Sequence, residues 1–130
     1  MFKEFFKYHF PVIAYLIIIF IFSSIPGDDL PDLSYTISDK IIHALIYFFA
    51  FLLFYISLSH TRRDSFFHKN SILFSIIFAT IYALSDEFHQ SFVPNRDADI
   101  FDFLADFAGV LAGFIFIIIL DKIKFRKIIL

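Results

Sequence analysis

The chain has 130 residues, a formal net charge of −2 and no cysteine. Its hydrophobic fraction is 59 % and its mean hydropathy +0.78, more apolar surface than a soluble domain of this size can bury. These values exclude a basic nucleic-acid surface, disulfides, thiolate metal sites and cysteine nucleophiles. They predict one all-α domain that is an integral membrane bundle. The 22 phenylalanines, with no tryptophan, read as lipid-facing bulk.

The first apolar segment covers about residues 10–25. Lys3 and Lys7 precede it, and Pro11 falls at an early helical position that tolerates proline. A secretory signal is the rival reading, but Phe22 stands where cleavage before Ser23 and Ser24 would need a small residue. Pro26, Gly27 and Pro31 then predict a loop, kept wet by Asp28, Asp29 and Asp32. The second segment, residues 39–59, opens on the capping pair Ser38 and Asp39. Asp39, Lys40 and His43 lie in its first turn and a half. A polar hinge with Arg62, Arg63 and Lys69 follows. The third segment, residues 70–90, is apolar until Asp86, Glu87, His89 and Gln90. The fourth, residues 99–120, follows a loop holding Pro94, Asn95 and Arg96 and leads into a basic tail.

Each segment approaches the ~20 residues that cross a bilayer. Nine of the eleven Lys and Arg residues fall on one side of a four-span topology, leaving Lys40 and Arg96 for the other. That bias predicts a multi-pass protein of the cell membrane with both termini cytoplasmic. Four polar clusters then meet at the outer face: the end of the first span, the start of the second, the end of the third and the start of the fourth. Ionisable groups at membrane depth are costly and usually mark a site.

The fourth segment carries the clearest pattern. Asp99, Asp102, Asp106, Gly109 and Gly113 fall on one helical stripe. The acids sit where lipid would reject them, and the GxxxG pair allows close helix approach.

These pieces resemble the VanZ-like membrane proteins. The matching runs are SSIP at Ser23–Pro26, DKIIH at Asp39–His43, DEFHQSFVPNR at Asp86–Arg96, and the spacing from Arg96 through Asp102 and Asp106 to Gly109 and Gly113. The resemblance spans about residues 15–113. One position departs from the pattern: asparagine is usual in the family where Asp106 stands. The resemblance implies bacterial cell-envelope work, with an association to teicoplanin-type glycopeptide resistance behind the family's name, and supplies no reaction. It also favours Glu87 and Gln90 as the inward pair of their cluster, over Asp86 and His89.

The expected site is an outward polar pocket of Ser24, Asp39, Lys40, His43, Glu87, Gln90, Arg96, Asp102 and Asp106, with Gly109 and Gly113 in helix packing. In one reading it binds an anionic ligand among the membrane lipids, a polyprenyl phosphate or a lipid-linked wall precursor. Lys40 and Arg96 would hold phosphate, and the acids would meet hydroxyl or amine groups. Arg96 is alternatively a clamp on a neighbouring carboxylate. In a second reading, a membrane hydrolase or transferase, His43 and His89 join Glu87, Asp102 and Asp106 around a divalent metal. HExxH is absent, and no catalytic residue, metal ligand or cofactor is assigned. In a third the clusters neutralise one another and hold the helices in register. Sequence leaves the oligomeric state open, since GxxxG serves a dimer as well as a bundle.

Overall fold

A computed structural model describes residues 2–29 and 37–129. The expected loop residues Pro31 and Asp32, and the side chains of Ser38 and of the basic tail from Lys124 onward, lie outside the described residues. The described chain is helical, with a short 3-10 turn at Gly27–Asp29 and five longer helices: α1 (Phe2–Ser23), α2 (Ile37–Ser59), α3 (Phe66–Lys69), α4 (Ser71–Gln90) and α5 (Ile100–Ile129). Four stretches are long and apolar enough to cross a membrane: Phe2–Ser23, Asp39–Ser59, Ser71–Gln90 and Ile100–Ile123. The architecture is therefore an all-α membrane bundle.

The first span starts earlier than the sequence pattern suggests. The helix passes through Lys3 and Lys7 and widens into a π-type turn over Phe5–His9. Pro11, just beyond, has no N–H to return to the preceding turn. The wider turn absorbs that gap, and the Phe10 N–H bonds the Phe5 carbonyl instead. Downstream, Ser65 caps α3 by accepting from the His68 N–H at 3.1 Å. Asp99 stands just before α5, where its carboxylate accepts the Phe101 N–H at 2.8 Å. The expected acid stripe thus begins with a cap, and only Asp102 and Asp106 lie within the helix.

The buried faces follow helical spacing. On α2 the inward residues are Tyr47, Ala50, Phe51 and Ser57; on α4 they are Ser75, Ala79, Ala83, Asp86, Glu87 and Gln90. On α5 they are Asp106, Val110 and Ile117. The outward faces expose Phe20, Ile21, Phe49, Ile81 and Ile115 at half or more of their surface, as a lipid solvent requires. Helix α2 packs against both α5 and α4, which also touch each other, and α1 lies against α2 and α4. Tyr82 ties α1 to α4 by donating to the Leu16 carbonyl at 2.6 Å, and Tyr15 ties it to α2 through the Ile46 carbonyl at 3.0 Å.

Cross-contacts fix which helix ends meet. At one end His9 and Ser57 share a hydrogen bond of 2.8 Å, and Tyr8 stacks on His60. At the other, the Gly27 N–H donates to the Pro94 carbonyl at 3.1 Å, beside Asn95 in the left-handed region at φ 57°. All four polar clusters share this second end.

Gly109 and Gly113 are used inside the chain. A Cβ on Gly109 would overlap the Ala44 main-chain carbonyl. At Gly113 a Cβ would come to 2.7 Å from Cδ1 of the buried Phe51 ring, a side-chain contact and not a main-chain overlap. Gly109→Ala should therefore lower the melting temperature in detergent by the equivalent of about 1–3 kcal/mol of overpacking. Gly113→Ala should cost distinctly less. Equal losses would show that the backbone approach at Ala44 is not the limiting contact.

Candidate functional site

The polar end of the bundle is organised in two tiers around His43. The outer tier gathers on Lys40, one helical turn from the start of α2. Its ammonium lies 3.4 Å from Asp39 Oδ2 and 3.0 Å from Asp99 Oδ2, and it is in contact with Asp102 Oδ1. These groups keep 14–29 % of their side-chain surface exposed, so the tier is a partly wet mouth. The sequence reading had Lys40 hold phosphate; in the structure it serves three aspartates, one on α2 and two around the start of α5.

The inner tier lies behind the imidazole. His43 Nδ1 is 3.0 Å from Asp106 Oδ1, while Nε2 faces Asp102 and Asp39 at 3.8 and 3.9 Å. Asp106 is fully buried and Glu87 is 6 % exposed. Glu87 Oε2 accepts the Asp99 N–H at 3.1 Å, tying α4 to the start of α5. Glu87 Oε1 and Asp106 Oδ2 are buried with no hydrogen-bond partner. Such orphaned carboxyl oxygens are rare, because desolvating them unpaired is expensive. Two sets of ligand-type atoms each fall within 4.8 Å of one another: Asp39, His43 and Asp102, and His43, Glu87 and Asp106.

Asp86 extends the inner tier and is the residue that sequence reasoning set aside. It is 7 % exposed and accepts from Gln90 at 3.4 Å. Ser23 and Tyr47 lie beside it, both buried, with hydroxyls that have no hydrogen-bond partner. Glu87 and Gln90 do point inward, but so does Asp86: the end of α4 is enclosed over a wide arc. The available signal was the spacing Ser75–Ala79–Ala83–Asp86–Gln90, which continues the inward stripe of α4.

Three expected site residues take other places. Ser24 is exposed and bonds His89 Nε2 at 3.0 Å and the Phe20 carbonyl at 2.7 Å; its neighbour Ser23 is the one turned inward. His89 packs on the Phe20 ring on that same outer side and does not join His43. Arg96 donates to the Ser23 carbonyl at 3.2 Å, and among the described residues no carboxylate lies within ion-pair distance of it. It therefore clamps the end of α1 to the loop before α5 through a main-chain oxygen.

With this geometry in place, comparison with known proteins assigns the chain. The sequence profile of VanZ/LLP1 matches residues 8–121, nearly the whole bundle. The chain belongs to the VanZ/LLP1 family. An uncharacterized protein of the fission yeast Schizosaccharomyces pombe is 30 % identical over 117 residues, covering 90 % of this chain and 68 % of the relative. No solved structure matches significantly. The region matched by the family profile contains every residue of both tiers.

Electrostatics at the rim can be tested through Asp99, which lies outside the spans. The Phe101 N–H and then Lys40 hold its carboxyl below the usual carboxylate range. A depressed folded-state pKa stabilises above the unfolded value, and that contribution disappears as pH falls through the folded one. Asp99→Asn keeps the capping ability and removes the charge. It should lower the melting temperature at neutral pH, with the two proteins converging in acid. A gap that stays constant down the pH series would assign the loss to something other than this charge.

Proposed function

We propose that the protein is a multi-pass envelope membrane protein whose polar cluster opens at the outer face and binds an anionic lipid-linked ligand. A polyprenyl phosphate or a lipid-linked wall precursor has the required chemistry. One observation carries the reading: the unpartnered, buried oxygens of Glu87 and Asp106 behind a charged mouth. Polar clusters that only lock helices close their own hydrogen bonds; this one retains acceptor capacity directed inward. The complement for phosphate comes mainly from Arg96, whose guanidinium has donors beyond the one it gives to Ser23, because Lys40 at the mouth is shared among three aspartates. The inner acids then take the cationic or donor part of the ligand assembly.

A relative in fission yeast favours the lipid phosphate over a ligand confined to bacterial walls. An effect on teicoplanin susceptibility is the narrower expectation, for a bacterial host in which that lipid carries wall units. A membrane hydrolase or transferase is the second reading. It is favoured by the imidazole of His43, which has carboxylates facing both ring nitrogens as a proton-transfer group would.

The orientation rests on charge. Lys3, Lys7, Arg62, Arg63, Lys69 and Lys122 all belong to the bundle end opposite the two tiers, which supports cytoplasmic termini. The chain has no cysteine, so single cysteines report directly. Asp28→Cys should react with an impermeant thiol reagent added outside intact cells, and Asp64→Cys should not. The reverse pattern would place the tiers at the inner face.

Ligand binding is tested on purified protein in detergent with polyprenyl phosphate and, as control, the matching polyprenol. The phosphate form should raise the melting temperature, by the equivalent of about 2.7 kcal/mol at a hundredfold excess over Kd. Arg96→Ala should weaken the effect several-fold. Equal shifts with phosphate and alcohol would overturn the anionic-ligand reading. Release of inorganic phosphate from polyprenyl diphosphate would move the enzymatic reading ahead.

A further inference from the structure

The two ligand-type clusters around His43 differ in one respect that decides what each can hold. The outer set, Asp39, His43 and Asp102, already contains a cation, because Lys40 contacts both of its aspartates. The inner set has none of its own. Three carboxyls, on Asp86, Glu87 and Asp106, are buried at that end, and the facing positive group is the edge of one imidazole. A low-dielectric interior does not keep such carboxyls ionised and unpaired: they take up protons or a cation.

We propose that His43, Glu87 and Asp106 form a binding site for a first-row divalent metal ion of the zinc or manganese type. The unpartnered Glu87 Oε1 and Asp106 Oδ2, both on residues more than nine-tenths buried, are what separate this site from an ordinary acidic cluster. Its ligand atoms lie within 4.8 Å of one another, wider than the ~3.5 Å between tetrahedral ligands bonded at about 2.0–2.2 Å, so binding draws the side chains inward by about an ångström. One nitrogen with two carboxylates selects zinc, manganese or iron over calcium and magnesium, which favour all-oxygen shells. Ring orientation agrees. The negative field of Asp39 and Asp102 on the Nε2 side places the ring proton there, and the Nδ1 lone pair then turns inward. In the metal-free state the 3.0 Å contact of Nδ1 with Asp106 needs a proton between two acceptors. The metal takes that proton's place, so uptake releases a proton and tightens as pH rises.

This site stands independently of the lipid reading but deepens it. Three protein ligands leave a coordination position for a phosphate oxygen, and the ion supplies positive charge that Lys40, engaged by three aspartates, cannot fully give.

The test uses the full-length protein purified in detergent without chelator. Elemental analysis and native mass spectrometry should find about one zinc or manganese per chain. After chelation, adding back Zn2+ or Mn2+ alone should raise the melting temperature, with an apparent affinity that increases from pH 6 to pH 8. His43→Ala, Glu87→Gln and Asp106→Asn should each weaken binding at least tenfold, while Asp121→Asn, at the opposite end of the bundle, leaves it unchanged. The titration of chelated wild type needs no variant to fold. No metal retained and no thermal shift on addition would overturn the proposal, the carboxyls then carrying protons. So would metal binding unaffected in folded Glu87→Gln and Asp106→Asn proteins. Polyprenyl phosphate binding by a protein that retains no metal and shows no shift on metal addition would sink the metal site and keep the lipid reading; metal binding without lipid binding would do the reverse.

Discussion

A charge removed from water must find its partner within the protein, and in this bundle that constraint falls on Lys40 and His43. One ammonium gathers Asp39, Asp99 and Asp102, and one imidazole spans from Asp106 to the Asp102 side. Both bases stand on α2, and most of their acids come from the start of α5. The electrostatic fit therefore sets the register of α2 against α5 at their polar ends. The close passage of Gly109 past Ala44 sets it one turn deeper. A helix translated by one turn would exchange these ion-pair partners and set Ala105 or Gly113, in place of Gly109, against the Ala44 carbonyl.

The remaining helices are placed by that pair. Glu87 reaches the Asp99 N–H, so α4 is positioned by the same cap that starts α5. Arg96 and Gly27 then bring the end of α1 to the loop between α4 and α5. Lipid contributes little to these choices, since hydrocarbon tails are as apolar as the phenylalanine-rich outer faces they meet. Hydrogen bonds, ion pairs and small-residue contacts specify the packing. The far end, with one His9–Ser57 bond and ring stacking, carries much less of it.

Much of this was legible in the sequence because membrane spans are encoded by run length and composition. The second and third helical spans begin and end within a residue of the expected limits, and the fourth begins within one residue but runs on beyond residue 120. The first was read short because Pro11 looks like a helix start; a wider turn that absorbs the proline leaves no compositional mark. The gathering of four clusters at one end also followed from topology alone. What sequence did not specify was rotation about each helix axis. Ser23 and Ser24 are adjacent and chemically alike, and packing on Tyr47 and Asp86 decides that Ser23 faces in. His89 and Gln90 differ by 100° of helix, and the Phe20 ring holds the histidine outside. Arg96 was paired with acids by proximity in sequence, yet Lys40 occupies those acids and leaves the guanidinium to a carbonyl.

Asp106 is where the inner tier departs from a closed packing network. A neutral amide at this position could accept from His43 Nδ1 through its oxygen and donate to Glu87 through its nitrogen, closing the network with no excess charge. A carboxylate accepts only. It places a second acceptor opposite Glu87, leaves Oδ2 without a partner, and adds a negative charge at full burial. A fold selected for rigidity alone gains nothing from that exchange, because a half-satisfied polar network is less stable than either a complete one or an apolar core. The arrangement becomes favourable once a positively charged or donating species enters between the two carboxyls. The unpartnered oxygen of Asp106 is therefore the feature on which the proposed ligand and metal sites both depend.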